Sequence, residues 1–99
     1  MHDFSVQLTR QAAADLGKLP KDIHRKVIQD ISDLAADPFP EGQAKKKLKG
    51  FKFALYRLRS GNHCVLYRID GKMVTIMRVI DRKDLDKIAK RLKLSPPGD

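Results

Sequence analysis

The dipeptide Asp70-Gly71 stands between two apolar runs, His63–Ile69 (HCVLYRI) and Met73–Ile80 (MVTIMRVI), and it constrains the fold more than any other pair of residues. Asp-Gly is the strongest hairpin signal in the chain, because a two-residue type I′ turn needs positive φ at both central positions. A turn that tight makes the flanking runs pair antiparallel, and pairing in a fixed register also fixes faces, since successive side chains of a strand point opposite ways. His63, Val65, Tyr67 and Ile69 therefore share one face, and Cys64, Leu66 and Arg68 the other. Met73–Ile80 is β-branched and nearly continuous in apolar character, the pattern of a central or well-covered strand.

The hairpin extends in both directions. Upstream, Phe53–Arg59 alternates strictly, with Ala54, Tyr56 and Leu58 on one side and Leu55, Arg57 and Arg59 on the other. Ser60-Gly61-Asn62 supplies turn chemistry, so three strands form an antiparallel meander. Phe4–Leu8 alternates in the same way and predicts a further strand. Thr9 suits an N-cap for a helix carrying Ala12, Leu16 and Leu19, which Gly17 ends early. Pro20 suits the first turn of a second helix, whose apolar face is Ile23, Val27, Ile31 and Leu34 with Ile28 and Ala35 beside them. Two prolines and a glycine in Asp37-Pro38-Phe39-Pro40-Glu41-Gly42 stop that helix near Ala36. Leu85, Ile88, Ala89 and Leu92 give a short amphipathic helix over 84–92.

The expected class is α+β: an antiparallel sheet, made of an N-terminal strand plus a three-stranded meander, covered by an N-terminal helical hairpin, with a short C-terminal helix. One domain spans 1–94, and residues 95–99 (SPPGD) are expected to be a disordered tail. One face of the sheet lies under the hairpin, and the other is expected to be free to carry arginines.

The chain has 99 residues, and no apolar run approaches the roughly 20 needed for a membrane span. No secretory leader is visible, and the single Cys64 cannot form an internal disulfide, which predicts a protein of the reducing cytoplasm. Net charge is +9, unevenly divided: residues 1–44 hold five Lys/Arg against seven Asp/Glu, and residues 45–93 hold sixteen against four. Such asymmetry favours a polyanionic partner, since each phosphate neutralised releases counterions; an acidic protein would exploit it too. Candidate phosphate-contacting cations are Lys45, Lys46, Lys47, Lys49 and Lys52 along one edge, with Arg59, Arg68 and Arg78 on the strands. The chain has no phosphate-binding Gly loop, no His/Cys metal spacing and no nucleophile elbow, so neither metal nor cofactor is expected.

The motifs Leu48-Lys49-Gly50, Tyr56-Arg57-Leu58-Arg59-x-Gly61, Val65-Leu66-Tyr67-Arg68-Ile69 and Arg78-Val79-x-x-Arg82-Lys83-Asp84 occur in this order after a strand and a helical hairpin. Together they resemble the RelE/ParE superfamily of type II toxins, over about 4–92. The resemblance implies a small RNase-like fold and, in the RelE branch, a ribosome-dependent mRNA endoribonuclease that blocks translation. In that chemistry a ribose 2′-OH attacks the adjacent phosphate without a metal, cations stabilise the anionic transition state, and an acid protonates the leaving 5′-oxygen. The implied catalytic residues are Arg57, Arg82 and Lys83. The implied partners are the ribosome and mRNA and a cognate antitoxin, in a hetero-oligomeric complex, with no membrane involved.

This chain departs from the family pattern in three places. His63-Cys64 stands where an arginine commonly follows the aromatic residue of the second meander strand, Ile80-Asp81 stands where Gly-His precedes the arginine, and Asp86 replaces a tyrosine. An arginine is permanently charged and does not transfer protons, so the proton carrier stays open among His63, Lys83, Asp86 and the edge 45–52. Alternation puts His63 with Val65 and Tyr67, as a structural residue, and Cys64 on the arginine face. Two other functions remain open: a ParE-like gyrase poison, and a degenerate toxin fold that only binds RNA or antitoxin.

Overall fold

A computed structural model describes residues 3–94. Strand β1 (Ser5–Leu8) is followed by helices α1 (Arg10–Gly17) and α2 (Lys21–Leu34), then strands β2 (Lys45–Leu48), β3 (Leu55–Ser60), β4 (His63–Asp70) and β5 (Met73–Asp81). A single 3₁₀ turn, Arg82–Asp84, leads into helix α3 (Leu85–Leu94). The strands form one sheet in the order β1-β5-β4-β3-β2. The expected 95–99 tail lies outside the described residues.

The class is α+β as expected, but the sheet is larger and mixed. β1 pairs with β5 in parallel, Ser5 opposite Met73 and Leu8 opposite Ile76, while every other pairing is antiparallel. The lysine run, which gave no alternation to read, forms the outer strand β2 against β3. Exposed lysines on an edge strand discourage further pairing, so the charge run and the strand are compatible.

The second hairpin turns one residue later than its sequence signal suggests, and the first turns at Gly61-Asn62, within the expected Ser60-Gly61-Asn62. Asp70 pairs with Met73 and Ser60 with His63, leaving Gly71-Lys72 and Gly61-Asn62 as the two-residue loops. Gly71 and Gly61 both have φ of 58°, and among the described residues no non-glycine residue has positive φ. Glycine alone at the first central position is the II′ pattern and replaces the I′ turn expected at Asp70-Gly71; the side chain of Lys72 disfavours the second positive φ. A bulge where Leu66 faces Arg78 but Tyr67 faces Ile76 leaves Met77 as an extra residue in β5.

Alternation, shifted once by that bulge, sorts the sheet into two cores. On one face Leu58, Val65, Tyr67, Val74, Ile76 and Val79 pack under Ala12, Leu16, Val27, Ile31 and Leu34 of the helical hairpin. Thr9 caps α1 as expected, its hydroxyl accepting from Ala12 N–H. Ile23 and Ile28 turn outward, more than a third exposed, so the buried stripe of α2 is narrower than its sequence suggests. Two polar contacts lock this core: the buried Tyr67 hydroxyl donates to the Pro38 carbonyl (2.7 Å), and Ser60 donates to Asp30 (2.6 Å).

The opposite face is not free. Leu55, Cys64, Leu66, Met77 and Ile80 are buried there beneath Ile88 of α3, with Leu85, Leu92, Phe51 and Phe53 completing a smaller core. The arginines therefore stand around an apolar patch and not on an open plane. The apolar side chains on this face need cover, and α3 with the 49–54 loop provides it.

Candidate active site

The arginine cluster is built by three strand ends. Arg57 and Arg59 share a face of β3, and Arg59 pairs with Cys64, which pairs with Ile80 of β5. Two residues beyond Ile80 on the same alternation comes Arg82, at the start of the 3₁₀ turn. Its backbone is fixed twice: Arg82 N–H donates to the Asn62 carbonyl (2.9 Å), and the Asp81 carboxylate caps the turn by accepting from Lys83 N–H (3.1 Å). The 61–62 hairpin loop thus holds the end of β5 in place.

Cys64 lies at the centre, 1% exposed. Burial pushes its thiol above the ordinary 9.0, while the positive charges of Arg57, Arg82 and Arg59 pull the other way. Desolvation wins, so the thiol stays protonated and unreactive at neutral pH. Strand register sets Arg57 and Arg59 of β3 on the face that carries Cys64, and Arg82, two residues beyond Ile80, follows on the same side of the sheet.

Beside the cluster a hollow of about 500 Å³ is lined by Asn62, Asp81, Arg82 and Lys83. It combines two cations with a carboxylate and an amide. Lys83, the third catalytic candidate, also lines it. Asn62 and Asp81 are additions: the pairing of His63 with Asp81 follows from the Gly71-Lys72 turn together with the bulge at Met77, which alternation alone does not reveal. His63 is half-buried and pairs with the buried Ser60.

The other predicted cations divide. Lys46, Lys47, Lys49 and Lys52 are exposed. Arg68 lies 5.0 Å over the Phe53 ring and 3.5 Å from Asp70, half-buried. Two of the candidate phosphate-contacting cations are already engaged within the protein. The Lys45 ammonium donates to the Asp37 carbonyl (2.7 Å) and lies 3.6 Å from Glu41. Arg78 makes two bonds to Asp15 of α1, at 2.8 and 3.2 Å, and the same carboxylate accepts from Val79 N–H. β5 outruns the short β1, and Asp15 satisfies the edge left bare. Among the described residues no group of three or more His, Cys, Asp or Glu side chains could hold a metal ion, and no helix is long and apolar enough to cross a membrane.

Residues 6–86 match the family model described as the ParE toxin of type II toxin-antitoxin systems. The chain belongs to the RelE/ParE superfamily of type II toxins. The toxin resembles the RelBE2 toxin-antitoxin complex from Mycobacterium tuberculosis with 33% identity, 81% of this chain and 99% of that chain covered, and a TM-score of 0.70. For the RelE-RelB complex of the archaeon Pyrococcus horikoshii the values are 27%, 81%, 96% and 0.70. A mutant of Escherichia coli RelE in the free state shares the fold, with 20% identity, 96% and 99% coverage and a TM-score of 0.68. No curated protein sequence matches the toxin.

Proposed function

We propose that the toxin is a ribosome-dependent mRNA endoribonuclease of the cytoplasm, with Arg57, Arg59 and Arg82 as the groups that hold the scissile phosphate. The register that sets Arg57 and Arg59 on the face of Cys64, with Arg82 two residues beyond Ile80 on the same alternation, carries the proposal. The 2′-oxygen bonds to phosphorus, the bond from phosphorus to the 5′-oxygen breaks, and the products are a cyclic phosphate and a 5′-hydroxyl. Negative charge grows on the phosphate oxygens, and cations already in position stabilise it without reorganisation. Lys83, beside Arg82 in the hollow, carries a transferable proton for the leaving 5′-oxygen; the proton of the 2′-OH passes to Asp81 or to water. By likeness to the RelE-RelB complexes, a cognate antitoxin is the protein partner, in a hetero-oligomer that silences the toxin.

The match to a ParE family model favours a second activity, poisoning of gyrase. The two separate on one induction experiment: translation arrest with mRNA ends inside codons supports the nuclease, and trapped DNA cleavage supports the gyrase poison. Arg82→Ala should abolish toxicity while leaving folding and antitoxin binding intact. Full toxicity of that variant would sink the site.

A further inference from the structure

α3 and the loop before β3 form one cationic ridge outside the arginine cluster. Leu85, Ile88 and Leu92 of α3 are packed into the smaller core, so the opposite side of the helix faces solvent with Lys87, Lys90, Arg91 and Lys93, all exposed. The ridge continues into the loop: the Lys93 ammonium lies 5.9 Å from the Phe51 ring and closely approaches Gly50, where an added Cβ would stand 2.9 Å from it. Lys49 and Lys52 flank that contact and are exposed as well. None of these six cations has an ion pair with a described carboxylate.

We propose that this ridge docks on the phosphate backbone of double-stranded RNA, as a second RNA surface that recruits the toxin to a structured RNA while the arginine cluster takes the strand to be cut. The inference rests on the nuclease function proposed above. Four observations favour duplex RNA over other polyanions. The cations run along a helix of about 15 Å, long enough to follow a stretch of nucleic-acid backbone. No exposed aromatic side chain lies among them, and single-stranded RNA is held by stacking on such rings; Phe51 and Phe53 are partly buried against the core. A peptide that folds on binding needs apolar anchors, but the exposed large apolar residues, Leu8, Ile23, Ile28 and Phe39, belong to β1, α2 and the loop after it. A lipid surface would need the apolar side of α3, which the sheet already occupies.

The test is equilibrium binding of the intact toxin to an RNA duplex of about 20 base pairs across a salt series, with polyglutamate as the competing acidic chain. The variant Lys87→Gln/Lys90→Gln/Arg91→Gln should bind the duplex about 10- to 100-fold more weakly at low salt, with the slope of log K against log salt shallower by roughly two to three. A control with the same kind of change on α2, Lys21→Gln/Arg25→Gln, should keep the wild-type slope. Unchanged duplex affinity and slope in the α3 variant would overturn the proposal. So would loss of polyglutamate binding with duplex binding intact, which would make the ridge a protein-docking surface. Binding is read without cleavage, so a toxin that cuts nothing but shows the predicted slope would refute the nuclease function and leave the ridge standing.

Discussion

The two faces of the sheet are built from the same strands and differ in almost everything else. Under the helical hairpin eleven buried residues form the main core; under α3 there are six, with loop aromatics around them. Each face buries one titratable group near its centre. Tyr67 sits on the hairpin face among apolar groups, its hydroxyl held by a carbonyl. Cys64 sits on the α3 face amid three arginines. Depth on one side lets the protein hold cations at the margin of a shallow core on the other, where Arg57 is half-buried and Arg59 and Arg82 stay exposed.

The comparison breaks first if the faces prove equally important to stability. Leu34→Ala on the hairpin side should cost about 3–5 kcal/mol in urea unfolding, and Ile88→Ala on the α3 side nearer 2, because the smaller core can relax around the loss. Equal values would refute the division into a deep and a shallow core. Asp15→Ala should cost about 1–3 kcal/mol, since it frees Arg78 and leaves Val79 N–H without its acceptor. If toxicity falls far more than stability does, Asp15 also sets the position of Arg82. Tyr67→Phe should cost about 1–2 kcal/mol by orphaning the Pro38 carbonyl.

The smallest effect lies in alkali. Burial raises the Tyr67 hydroxyl above its ordinary 10.0 and the Cys64 thiol above its ordinary 9.0. The unfolded chain therefore loses these protons first, so stability is full below pH 9 and falls as pH rises through 9 and then 10. Arginines oppose the shift at Cys64 and nothing comparable does so at Tyr67, whose causes all raise it. Tyr67→Phe should therefore flatten the alkaline decline more than Cys64→Ala. The reverse order in melting curves between pH 8 and 11, with each variant referred to its own value at pH 8, would overturn this reading of the two faces.

The strands, the hairpin of helices and the side-chain faces were legible because alternation and helical spacing are local. Thr9 as a cap, Gly17 as a stop and the split of Cys64 from Val65 needed no tertiary knowledge. What escaped depends on distant partners. β2 carries one apolar residue, Leu48, and is a strand because β3 lies beside it. Lys45 and Arg78 look like free cations until Asp37 and Asp15 arrive from elsewhere in the chain. The arginine cluster was half visible: Arg57 and Arg59 share a face by alternation, while Arg82 joins them only because the 61–62 loop grips its backbone.

The parallel pairing of β1 with β5 sets the order in which the molecule can be finished. Ser5 finds its place only opposite Met73, so during synthesis the first strand waits, unpaired, until nearly three-quarters of the chain has emerged. The meander behind it can form sooner, from neighbouring segments whose loops close cheaply. Asp15 cannot grip Val79, nor Asn62 hold Arg82, before those last residues appear. The arginine side of the sheet is therefore assembled only once β5 and the turn after it are in place.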